Sequence, residues 1–96
     1  MPAYVIYNQT EMIDPDAWAE YGANVREGLA KFGARVIASV PDPTILEGEW
    51  SGIHNVIIEF PDLDTADRLY DSEEYRSLLE TRLEATRGNL VLLDGI

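Results

Sequence analysis

Three stretches of this chain carry apolar side chains on both sides of an extended backbone. In AYVIYNQ (Ala3–Gln9), Tyr4 and Ile6 alternate with Val5 and Tyr7. In HNVIIEF (His54–Phe60), Val56 and Ile58 alternate with Ile57. In NLVLLDG (Asn89–Gly95), Leu90 and Leu92 alternate with Val91 and Leu93. Successive side chains of a strand point to opposite faces. A sheet with one face in water therefore reads as apolar–polar alternation, and these strands do not. Whatever sheet they build must be covered on both sides.

The rest of the chain supplies one cover. Asp14 suits a helix N-cap, Pro15 the first helical position and Asp16 the positive helix end. Trp18, Tyr21, Val25, Leu29 and Phe32 then recur at spacings of three and four, one face of an amphipathic helix that Gly33 ends. Ala34–Val40 (ARVIASV) is a second predicted strand. Pro41–Gly52 is a long connection with a short extra strand expected within TILEGEW. Pro61 stops the third strand. Leu63 to about Thr86 is predicted helical in two pieces, with a break at Asp71-Ser72 where Ser72 caps the second. Gly88 is expected to end that helix before the last strand. The order β-α-β-β-α-β predicts one ferredoxin-like α+β domain over residues 1–96: a four-stranded antiparallel sheet with helices on one face. The other face needs a cover, and a second copy of the chain is the simplest one. The sequence thus predicts a homodimer joined through the sheet face.

Charge limits the partners. Eighteen acids against seven bases give a net charge of −11, and both halves of the chain are acidic. Such a surface repels phosphate backbones and anionic lipid heads, so neither a nucleic-acid nor a membrane partner is expected. The plain consequence of the acidity is solubility. The absence of cysteine excludes disulfides, thiolate nucleophiles and cysteine-held metal clusters. No apolar run approaches the roughly 20 residues of a membrane span, and MPAYVIYNQTEMIDPD has no signal-peptide pattern. A cytoplasmic protein is the expectation.

Several pieces match a known pattern from end to end: Tyr4-Val5-Ile6, Asp14-Pro15, Tyr21, Leu46-Glu47-Gly48 with Trp50, Val56 to Pro61, Tyr70-Asp71-Ser72 with Glu74-Tyr75, Arg82, and Leu90-Val91-Leu92 with Gly95. On these the chain resembles the domain-of-unknown-function family 1330, of the dimeric α+β barrel superfamily. The resemblance implies a ferredoxin-like dimer whose activity is not established. Related dimeric barrels include cofactor-independent monooxygenases, isomerases and haem enzymes with pockets between sheet and helices, an analogy of fold from which function does not follow. Where many members have a Pro and an Arg before the third strand, this chain has Ser51-Gly52-Ile53-His54-Asn55. An anion held by that Arg in relatives would lose its partner here.

The chemistry-bearing residues are few. No metal-ligand cluster, phosphate loop or nucleophile elbow is present, and no cofactor is expected. The single histidine, His54, is the candidate acid–base group, although a histidine in this position is more often only a polar residue where a strand begins. Strand alternation points it with Val56 and Phe60 and away from Glu59, so the two form no dyad. Glu59 is a carboxylate inside an apolar strand, costly unless paired or at a rim. Arg82 lies beside the apolar stripe of Leu78 and Leu79, where it would snorkel to water, tie down a carboxylate or hold a ligand's anion. Tyr7, Trp18, Trp50, Tyr70 and Tyr75 are candidates for an aromatic pocket wall, or for plain core. Two readings follow. One is a small cofactor-independent enzyme or ligand-binding protein with a closed pocket of several hundred Å³, gated by the Pro41–Gly52 loop, with His54 and Arg82 as its polar groups. The other is a dimeric accessory or stress module with a filled core and no small-molecule site.

Overall fold

A computed structural model describes residues 1–96. Its elements run β1 (Ala3–Met12), α1 (Pro15–Lys31), β2 (Arg35–Val40), β3 (His54–Phe60), α2 (Leu63–Asp71), α3 (Glu73–Ala85) and β4 (Thr86–Asp94). The strands form one antiparallel sheet in the order β2-β3-β1-β4. This is the ferredoxin-like arrangement, with β1 and β3 in the middle and both crossovers helical.

Capping chemistry sets the helix starts. The Asp14 carboxylate accepts from the backbone N–H groups of Asp16 and Ala17, with Pro15 at the first turn. Asp62 caps α2 by accepting from the Thr65 N–H at 2.8 Å. Hydrogen bonds from Thr65 hold its carboxyl below the usual carboxylate range. Ser72 both ends α2 and caps α3, its hydroxyl donating to Leu69 O and accepting from Tyr75 N. The predicted two-piece helix is therefore the observed one, broken at Ser72.

Two expectations are corrected. TILEGEW pairs with nothing, and residues 41–53 form no strand. Gly88 does not end α3: the helix stops at Ala85, Thr86 is already extended, and Gly88 lies within β4. There β1 and β4 slip register between Gln9 and Glu11. A Cβ on Gly88 would run into the Asn8 carbonyl oxygen and the Tyr7 ring, so glycine serves close backbone approach at a bulge.

The helices cover one face. Tyr21, Val25 and Leu29 of α1, Ala66 and Leu69 of α2 and Tyr75 of α3 pack on Ala3, Ala34 and Phe60, with Val5, Val36, Ile58 and Leu92 alongside. The opposite face carries three rows across the strands. Val91, Ile6, Ile57 and Ala38 are paired in one, Leu93, Tyr4, Glu59 and Arg35 in another, Asn89, Asn8 and Asn55 in the third. No helix of the chain lies over these rows. No helix is long and apolar enough to cross a membrane.

Candidate functional site

Alternation along the strands aims Val5 and Tyr7 of β1, Val56 and Ile58 of β3 and Leu90 of β4 toward the helices. They do not meet the helices everywhere. A cavity of about 120 Å³ remains between the sheet and α1, α2 and α3. Trp18, Tyr21 and Gly22 of α1, Tyr70 of α2 and Tyr75 of α3 close its sides. The rings form a connected wall. Trp18 stacks on Tyr21 with centroids 5.5 Å apart and lies 6.1 Å from Tyr7, and Tyr70 and Tyr75 are 5.6 Å apart. The Tyr21 and Tyr75 hydroxyls are 3.2 Å apart. Burial, with Tyr75 beside it, pushes the Tyr21 phenol up, so it stays protonated. The Tyr7 hydroxyl is fixed at 2.6 Å by Thr86 Oγ1.

Arg82 borders the same cavity. It is 6% exposed, so it does not snorkel to water. None of the chain's four ion pairs includes it, so it ties down no carboxylate. Its guanidinium lies 4.9 Å over the Tyr7 ring, a cation–π contact, and its Nε is buried without an acceptor. Burial works against the charge, but the oxygens of Tyr75, Tyr21 and Tyr7 outweigh it and the pKa is raised. The group is a buried, permanent cation. Arg26, exposed on α1, is the other charged residue in the lining, and no Asp or Glu borders the cavity.

His54 stands at the β2 side. Its Nε2 is 2.9 Å from Ser39 Oγ, and its ring meets Trp18 edge-on at 6.2 Å. Ser39 borders the cavity; His54 lies just behind it. Plain alternation along β2 would turn Ser39 away from Val36. A bulge between Val36 and Ala38 brings both to the cavity side, opposite Ile58 and Val56. The sequence carries no signal for that bulge, which is why Ser39 went unnoticed. The hydroxyl–imidazole pair has no carboxylate behind His54, the third member that a nucleophilic triad uses. It suits hydrogen bonding and proton exchange with a ligand better than acyl transfer.

Two expected pocket residues are elsewhere. Glu59 is on the far face, paired with Arg35 at 3.1 Å. Trp50 is 53% exposed and donates from Nε1 to Asn55 Oδ1 at 2.7 Å, also on the far face. The loop that carries it borders no part of the cavity and does not gate it. The structure thus brings Tyr7, Trp18, Tyr70, Tyr75 and Arg82 together, sets His54 at the edge through Ser39, and leaves Glu59 and Trp50 out.

A family model described as Domain of unknown function (DUF1330) matches residues 2–96. The chain belongs to this family. No curated protein matches the DUF1330 chain in sequence. Among solved structures it is similar to a protein of unknown function from Rhodopseudomonas palustris, with 20% identity and a TM-score of 0.76 over 99% of this chain and 82% of that one. It is also similar to a dimeric ferredoxin-like protein of unknown function from Jannaschia sp. CCS1, with 11% identity and a TM-score of 0.73 over 100% of this chain and 99% of the other. A third is SnoaB from Streptomyces nogalater, described as a cofactor-independent oxygenase, with 12% identity and a TM-score of 0.68 over 99% and 93% of the two chains. At these identities the likeness establishes the fold that the DUF1330 chain shares with them.

Proposed function

We propose that this protein is a homodimer that holds a small organic molecule in the cavity between sheet and helices, and binds or transforms it with its own side chains, without a cofactor. The cavity carries the reading. Protein interiors are normally filled; here an apolar recess of about 120 Å³, partly open to solvent, lies between the sheet and the helices, walled by aromatic rings around one buried cation. That shape supports a bound molecule over a module with a filled core. The space is smaller than the several hundred Å³ of a drug-sized pocket. It compares with an apolar cavity of about 150 Å³ that takes up benzene, so the occupant is a single ring or a short chain. SnoaB, of the same fold, is described as acting without a cofactor, which supports a site made of protein groups alone. The uncovered apolar sheet face and the neighbours described as dimeric support the homodimer.

Gly22 offers the test. It borders the cavity, and a Cβ there meets nothing within 4 Å, so leucine in its place occupies the void. Single-ring compounds of either charge are titrated into wild type and Gly22→Leu by ligand-observed NMR and thermal shift. Wild type should bind saturably and melt higher, and Gly22→Leu should lose both responses while staying folded. Binding that survives the substitution, or a wild type that takes up no ring compound at millimolar concentration, ends this reading.

A further inference from the structure

We infer that the molecule held in this cavity is an organic monoanion, an ionised oxygen acid on a single-ring body, and that Arg82 is the residue that receives its charge. The inference rests on the ligand-binding reading above and assigns the chemical class of the occupant.

The first support is a contrast of charge. The chain has eighteen acids and seven bases, yet the cavity is bordered by two arginines and no acid. Acids are kept out of any apolar lining by their desolvation cost; the informative part is that a buried arginine is admitted without one. The second support is Arg82 itself. Arginine presents five N–H donors and cannot shed its proton, and a buried charge is normally paired. Here the side chain is 94% buried by its 6% exposure, no carboxylate lies within ion-pair distance, and Nε has no acceptor. Tyr7 engages the guanidinium through its ring and through its hydroxyl, and neither contact brings a countercharge. The third support is what surrounds it. Tyr7, Tyr21 and Tyr75 hold hydroxyls around the cation without neutralising it, and Tyr21 and Tyr75 form one hydrogen-bonded pair that a ligand oxygen can join. A planar guanidinium matches a carboxylate's two oxygens, while the aromatic wall of Tyr7, Trp18 and Tyr21 suits a flat apolar body.

Benzoate and its neutral isostere benzamide separate charge from shape. Both are titrated calorimetrically into wild type, Arg82→Met and Arg82→Lys, with folding checked by circular dichroism. Wild type should bind benzoate more tightly than benzamide by about tenfold or more, the scale of one charge-assisted hydrogen bond. Arg82→Met should erase that preference and Arg82→Lys should keep part of it. Should Arg82→Met fail to fold, the benzoate-to-benzamide ratio in wild type and Arg82→Lys decides. If both compounds bind wild type equally, or the preference survives in Arg82→Met, the anion assignment falls while the ligand-binding reading stands. If neither compound binds wild type, nor does toluene, both fall together.

Discussion

Arg82 and His54 were the two polar candidates, and their surroundings divide them. Arg82 is enclosed, and two of the three roles open to it from sequence are removed by its burial and by the absence of a carboxylate. His54 is at the edge, and what it gains is a neighbour, Ser39, from the adjacent strand. The two sites face each other along one row of the sheet. Ser39 and Tyr7 both sit opposite Val56, so their backbones are about 10 Å apart at the usual strand spacing, and Arg82 lies over the Tyr7 ring. A ring acid with its anion at Arg82 would turn its far end toward Ser39. Removing that hydroxyl or its imidazole partner should therefore affect ligand choice and leave folding alone. Ser39→Ala is expected to change stability by no more than about 0.5 kcal/mol, as for an exposed site, and His54→Ala, which also gives up the edge-on contact with Trp18, by about 1 kcal/mol. Both should reduce the advantage of 4-hydroxybenzoate over benzoate, measured calorimetrically on the same protein. Equal preference for the two acids in wild type would show that the far end of the ligand does not use this pair.

At the scale of the elements, legibility followed the strength of local chemistry. Asp14-Pro15 and Ser72 mark helix starts by side-chain hydrogen bonds confined to one turn, and such signals survive without knowledge of the fold. The helical stripe of α1 and the alternation of β1 placed Trp18 and Tyr7 on the cavity side for the same reason. What failed depended on pairing between distant segments. Trp50 could not be assigned a face until Asn55 was seen to hold it. Ser39 needed the β2–β3 register. Gly88 read as a helix stop because glycine is common there, whereas its cause is a strand some eighty residues earlier in the chain, pressed close at the β1–β4 bulge. That cause can be checked. In Gly88→Ala the new methyl meets backbone on β1, which cannot rotate aside as a side chain would. The expected loss is about 1–3 kcal/mol, the range for overpacking, read from chemical denaturation. An unchanged midpoint would show that β1 gives way to the methyl and that close approach is not what glycine serves here.

The whole molecule has the proportions of something half assembled. Its Cα atoms span 34 × 32 × 16 Å, a slab one sheet and one helix layer thick. Its accessible surface is 6288 Å², against roughly 5,500 Å² expected for a monomer of this mass. The excess, roughly 800 Å², matches the roughly 800 Å² per partner of a standard interface. The far sheet face holds a contiguous share of the exposed apolar surface: Val91 and Leu93 are exposed there, with Tyr4, Ile6 and Ile57 half-buried. Water on this face accounts for the Asn89–Asn8–Asn55 ladder but not for the apolar row Val91–Ile6–Ile57–Ala38 beside it. A second copy placed sheet to sheet would bury that row. Ile6 is in the middle of that row, on a central strand, with its side chain turned away from the helices. Ile6→Asp should hence leave the protomer folded, since the side chain contributes nothing to the helix-side core. In the dimer it would bring buried carboxylates into an apolar interface, a penalty of several kcal/mol. Sedimentation is expected to show wild type as a dimer at micromolar concentration and Ile6→Asp as a monomer, its dimer weakened at least about a hundredfold. A wild type that sediments at 10.8 kDa would remove the dimer altogether, and a variant that stays dimeric would move the interface off this face.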